Sequence, residues 1–200
     1  MPNNAAAKTE ARQGRLQRPP GADGFRVDSF AAVLRRHGAT MGCIALACLA
    51  LPGALGLLQD TLHPLTQNPR RYLVAVLLLL IFFSVWSAVQ WRRRQSADAG
   101  RQSLWILYLL FISIVEEVAF RLGLPALLST QMERMPAHII SNLLFAALHY
   151  FTLRWRFGNC MATFLGGMGL AHLMGRGDLT LVILVHWLGT FINTPAPPPR

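Results

Sequence analysis

The stretch FISIVEEVAFRLGL, residues 111–124, decides how the chain is read. It lies inside an apolar run from Leu104 to Leu128, yet it carries Glu116, Glu117 and Arg121. A run of that length is enough helix to cross a bilayer core of about 30 Å. A charged residue at the centre of such a helix costs roughly 2.5–3.5 kcal/mol on insertion scales, so charges persist there only where something compensates them. The three charges therefore mark either a fastening between helices or a site of chemistry.

Working outward, apolar blocks recur at about 38–58, 72–90, 104–128, 137–153, 157–175 and 179–194. With 53% hydrophobic and only 14% charged residues, the chain is far from the roughly 25% charged composition of soluble domains. These features predict an all-α polytopic membrane protein, a bundle of about six transmembrane helices over residues 36–195. Residues 1–35 are polar and basic, with no apolar stretch resembling a signal sequence. They are expected to form a flexible cytoplasmic tail. Residues 196–200, from the proline-rich end, are expected to be disordered because consecutive prolines cannot continue a helix.

The net charge of +10 invites a nucleic-acid reading, but its distribution argues against one. With the N-terminus placed in the cytoplasm, Lys8, Arg12, Arg15, Arg18, Arg26, Arg35 and Arg36 fall inside, as do Arg92–Arg94, Arg101, Arg154 and Arg156. Arg70, Arg71, Arg134 and Arg176 fall outside. That is the positive-inside bias of helical membrane proteins, and it places both termini in the cytoplasm. The expected partners are the lipid bilayer and a membrane-associated protein or peptide, with no nucleic acid. Cys43, Cys48 and Cys160 have no disulfide or metal spacing.

Within the spans, Glu117 and Arg121 are four residues apart, with the carboxylate on the N-terminal side, which is the favourable orientation for a helical ion pair. Glu116 points about 100° away on the helix and is left without a partner in its own helix. A buried carboxylate free to take a proton is what a general base needs. His149, in SNLLFAALHY, shares a helix face with Phe145. His186, Thr190 and Asn193 form a polar stripe on the last helix, which supplies donors when it faces the bundle interior. His37, His63 and His138 fall near loops or helix ends, and His172 reads as a packing residue. Gly167, Ala171 and Gly175 recur every four residues, the spacing that lets helices approach closely.

Glu-Glu-x-x-x-Arg in EEVAFR, Phe-x-x-x-His in FAALH and a later His in HWLGT together resemble the CPBP (CAAX protease and bacteriocin-processing) intramembrane glutamic endopeptidases. The resemblance covers roughly residues 104–193. Leu122 stands where that family often has Gly, and Thr190 where it usually has Asn, with Asn193 one turn further on. The resemblance implies that Glu116 activates water with the help of His149, and that Arg121 holds Glu117 as scaffold. It implies that His186, with Thr190 or Asn193, stabilises the oxyanion. It also implies peptide-bond hydrolysis without a covalent intermediate or an essential metal.

The residue types alone leave zinc open, since two His and a Glu are also a zinc-protease ligand set with a second Glu as base. Arg121 one turn away, and the absence of HExxH, favour the metal-free reading. A proton-coupled transporter is a rival, because intramembrane Glu and His also occur there; no internal repeat supports it. A catalytically silent immunity or scaffold relative is another, kept open by Thr190. The expected substrate is a protein tethered to or associated with a bacterial plasma membrane.

Overall fold

A computed structural model describes residues 16–19, 27–94 and 99–198. The described chain is all-α, a polytopic membrane protein built from helices α1 (Phe30–Leu49), α2 (Ala54–Gln67), α3 (Pro69–Arg94), α4 (Ala99–Leu128), α5 (Arg134–Thr152), α6 (Phe157–Met174) and α7 (Leu179–Asn193).

The expected first span is not one helix. Pro52 has no N–H to continue α1, and Gly53 adopts φ 79°, a left-handed conformation open to glycine. The chain turns by 104° there, so the block at 38–58 is the end of α1 joined to the start of α2. Among the described residues, Pro69–Val89 and Ala99–Leu128 are long and apolar enough to span a membrane, and the bent α1–α2 pair makes a third. Helices α5, α6 and α7 have 19, 18 and 15 residues. In α5 the polar Ser141, Asn142 and His149 are buried, so they lower its apolar character while facing protein rather than lipid. By length and apolarity alone, two or at most three of the expected spans qualify among the described residues.

The part of the expected N-terminal tail that is described is docked. Leu16 and Arg18 exchange backbone hydrogen bonds with Arg156 and Arg154, and the Arg18 guanidinium lies 3.7 Å from the Tyr150 ring centre. Val27 is buried, and α1 begins at Phe30, capped by the Ser29 side chain. The rest of residues 1–35, like residues 199–200, lies outside the described residues.

Helix α4 is the axis of the bundle. It packs on α7 through Trp187, whose indole N–H donates to Ile106 O at 3.1 Å, and Trp105, which donates to Thr194 O at 2.7 Å. Phe83 of α3 wedges against Trp187 and Phe191, with ring centres 4.8 and 4.2 Å apart. Asp178 caps α7 by accepting from Leu181 N, and accepts a second bond from the Tyr72 hydroxyl of α3 at 2.6 Å.

Two short segments depart from α-helical winding, Leu34–Gly38 in α1 and Val118–Gly123 in α4; both are π-helical turns. Such turns loosen the backbone ladder and occur often at functional sites. The carbonyls of the second turn are taken up by neighbours. Ser141 of α5 donates to Phe120 O at 2.7 Å, and the Cys48 thiol of α1 lies 3.9 Å from Ala119 O. Gly123 makes the α1 contact possible, since a Cβ there would lie 2.4 Å from Cys48 Cβ.

Candidate active site

The two π-helical turns flank one buried cluster. Glu116 and Glu117 close the α-helical part of α4 immediately before its π-turn, and both are almost fully buried. Glu117 Oε1 lies 2.5 Å from His186 Nδ1 of α7, and its Oε2 lies 3.4 Å from Arg121 Nε. The expected Glu117–Arg121 pairing is thus present, and Glu117 also holds a histidine. The Arg121 guanidinium rests 4.4 Å from the Phe145 ring centre, a cation–π contact. Phe145 meets His149 on its other side, ring centres 4.6 Å apart. Its ring thus touches both the arginine and the histidines.

Glu116 has partners from three other helices. Its Oε1 lies 2.8 Å from His37 Nε2 and 3.7 Å from His149 Nε2, and its Oε2 lies 3.4 Å from His186 Nε2. No donor is well aligned on Oε1, so this buried oxygen keeps open capacity for a hydrogen-bond partner.

The ring orientations follow from what each Nδ1 faces. His149 Nδ1 lies 2.9 Å from Phe145 O, which only accepts, so Nδ1 carries the proton. The Thr152 hydroxyl donates to Leu148 O at 2.6 Å and therefore accepts from His37 Nδ1 at 2.7 Å. His186 Nδ1 faces the Glu117 carboxylate. Each imidazole is pinned through Nδ1, and all three present Nε2 to the Glu116 carboxylate.

The structure therefore brings together Glu116, Glu117, Arg121, Phe145, His149 and His186, and it does not bring in the rest of the polar stripe. Thr190 spends its hydroxyl proton on His186 O at 3.0 Å, within its own helix. Asn193 is exposed at the last turn of α7. His172 is exposed rather than packed. Gly167 and Ala171 are buried on the expected seam, and Gly175 is exposed at the helix end. A Cβ on Gly167 would stand 2.2 Å from Asn142 Oδ1 and 2.9 Å from Arg121 Nη2, so its smallness is what admits α6 beside the site. A cavity lined in part by Arg121, Arg134 and His138 reaches the cluster only through Arg121; Glu116, His149 and His186 do not line it.

His37 is the residue of this cluster that the sequence does not single out, since it falls near a helix end. The spacing carries a signal: Val33, His37, Met41, Ala45 and Cys48 recur at near-helical intervals, and with Gly38 they are the buried residues of α1. His37 sits on the inward stripe, not beside it.

With His37, Glu116 and His149, the site also has ligand atoms within 4.8 Å of one another, a spacing able to hold a metal ion. Their pinned Nδ1 groups match the outer-shell support that metal-ligating histidines usually have.

Comparison with curated proteins and with solved structures returns no match. Residues 98–192, which carry both glutamates, Arg121, Phe145, His149 and His186, match the family described as Type II CAAX prenyl endopeptidase Rce1-like, so this part of the chain is similar to that family of CAAX-type proteases.

Proposed function

We propose that the protein is an intramembrane endopeptidase in which Glu116 activates water, with no covalent acyl-enzyme. The observation that carries this reading is the convergence of three Nδ1-pinned histidines on one buried carboxylate inside a membrane-spanning helix. Water bound beside Glu116 and the His149 Nε2 lone pair gives up a proton to the carboxylate as its oxygen attacks the scissile carbonyl carbon. His186, held through Nδ1 by Glu117, has Nε2 as its remaining donor position and stabilises the oxyanion when that nitrogen carries a proton. The C–N bond then breaks, the proton on Glu116 passes to the leaving amine, and the products are a carboxylate and an amine. Arg121 neutralises Glu117 and fixes it against Phe145.

The donor role falls chiefly on His186, because Thr190 uses its proton inside α7 and Asn193 is exposed. The substrate is a protein associated with or tethered to a bacterial plasma membrane, and both termini face the cytoplasm.

One observation favours a second reading. His37, Glu116 and His149 make a two-histidine, one-carboxylate set of the kind that holds catalytic zinc. The metal-free reading is preferred because the Arg121 guanidinium one turn from Glu117 disfavours a dication nearby and the sequence carries no HExxH.

The test is a cleavage assay with purified protein in nanodiscs, using membrane-protein lysate as substrate and mapping new N-termini, with and without a chelator. Cleavage that survives the chelator supports water activation by Glu116. Cleavage lost to the chelator and restored by zinc moves the site to the metal reading. A folded protein that cleaves nothing in lysate or in a panel of apolar membrane-tethered peptides counts against the protease reading.

A further inference from the structure

We propose that His37, supplied by α1 from outside the family-matched stretch, is a positioning residue for the Glu116 carboxylate, so that the active centre is assembled from two separate parts of the chain. This rests on the endopeptidase reading above. Residues 98–192 carry the three familiar motifs, yet the shortest contact to Glu116 comes from neither His149 nor His186 but from His37 Nε2 at 2.8 Å. His37 is 3% exposed, so burial of a polar ring has to be balanced by partners. Nδ1 has the Thr152 Oγ1 acceptor at 2.7 Å, and Nε2 stands 2.8 Å from Glu116 Oε1. Its ring also stands edge-on to His149, with centres 4.8 Å apart, so the two imidazoles bracket the same carboxylate oxygen.

Several features of α1 serve this placement. The π-turn Leu34–Gly38 contains His37 and lies beside the cluster. Gly38 lets the turn approach α4, because a Cβ there would already be 3.2 Å from Leu34 Cδ1 and 3.4 Å from Tyr108 Cε2. Thr152, the last residue of α5, lies one turn after His149 and orients His37 across the helix boundary. The His37 contact fixes the plane of the carboxylate at Oε1. Oε2 is left facing His186, where the oxyanion is expected to form.

The test measures kcat and KM for wild type, His37→Ala, His37→Gln and Thr152→Val on a substrate cleaved by wild type, with Glu116→Gln as the reference. Loss of the partner that orients a metal-ligating residue typically costs about 10- to 100-fold, and the same scale is taken here for a partner that orients a catalytic carboxylate. His37→Ala is expected to lose about that much in kcat, with KM within about twofold and partial rescue by added imidazole. His37→Gln should fall between wild type and His37→Ala, and Thr152→Val should lower kcat several-fold without touching either His37 or Glu116.

A folded His37→Ala with wild-type kcat, or with a loss confined to KM, overturns the proposal. A loss that imidazole does not restore in the folded variant also overturns it. If His37→Ala does not fold, Thr152→Val decides, and wild-type kcat there is the refuting result. Wild-type protein that carries zinc, lost in His37→Ala, makes His37 a ligand instead and overturns the positioning role. An active Glu116→Gln defeats the water-activating role of Glu116 on which this inference rests, whereas an inactive Glu116→Gln beside a fully active His37→Ala defeats only this inference.

Discussion

The pair Glu117–Arg121 offers a quantitative test of how the site is held. Both side chains are 0% exposed, and Glu117 is the carboxylate facing Arg121 at 3.4 Å. Neither Nη1 nor Nη2 of Arg121 has a hydrogen-bond partner among the described residues. Glu117→Gln keeps the shape of the side chain and an oxygen able to accept from His186 Nδ1, but it removes the charge that balances the guanidinium. Breaking a buried pair from one side costs about 3–5 kcal/mol, because the remaining charge stays buried and uncompensated. Adding Arg121→Met removes that charge while keeping an apolar side chain on the Phe145 ring. Replacing both partners is close to neutral, within about 1 kcal/mol of wild type. The double variant should therefore be more stable than Glu117→Gln alone, a sign that simple loss of contacts cannot give. Reversible unfolding in mixed micelles, followed by circular dichroism, measures all four proteins of the cycle. A Glu117→Gln protein as stable as wild type, or a double variant whose losses simply add, would refute a charge-compensated scaffold.

Two more substitutions probe close approach and the oxyanion contact. Gly123→Ala puts a Cβ 2.4 Å from Cys48 Cβ, so it should destabilise by about 1–3 kcal/mol, and Cys48→Gly should recover part of that loss in the same unfolding assay. Equal stability of Gly123→Ala and wild type would show that α1 and α4 are further apart. Thr190→Val should leave kcat within about threefold of wild type, since its hydroxyl proton is committed to His186 O, whereas loss of an oxyanion donor costs about 100- to 1,000-fold. A hundredfold loss in Thr190→Val would restore Thr190 as a donor.

Most of the site was legible because its residues are chemically out of place. Two carboxylates, an arginine and a histidine inside apolar helices stand out against their surroundings, and their spacing sets which ones share a face. His37 was not legible in that way, since it follows Arg35 and Arg36 at what reads as the polar head of a span. Only its place on the buried stripe from Val33 to Cys48 separates it from a solvated residue. The break in the first apolar block is hidden for a different reason. Hydropathy counts apolar residues but not direction, and Pro52–Gly53 redirects the first block by 104° without interrupting its apolar character. The polar stripe His186–Thr190–Asn193 shows the limit of periodicity as well. A shared face leaves open that one member bonds to its own helix and another lies exposed at the end.

The central claim is that Glu116 takes the proton from the attacking water. It is tested most directly by the single-turnover rate of purified Glu116→Gln against wild type, on one defined substrate in nanodiscs. Gln keeps the shape and burial of the side chain but cannot accept that proton. General-base catalysis contributes about 100- to 10,000-fold, so the account predicts a rate at least about a hundredfold lower, with the fold and substrate binding retained. A Glu116→Gln protein that cleaves within about threefold of wild type would contradict it.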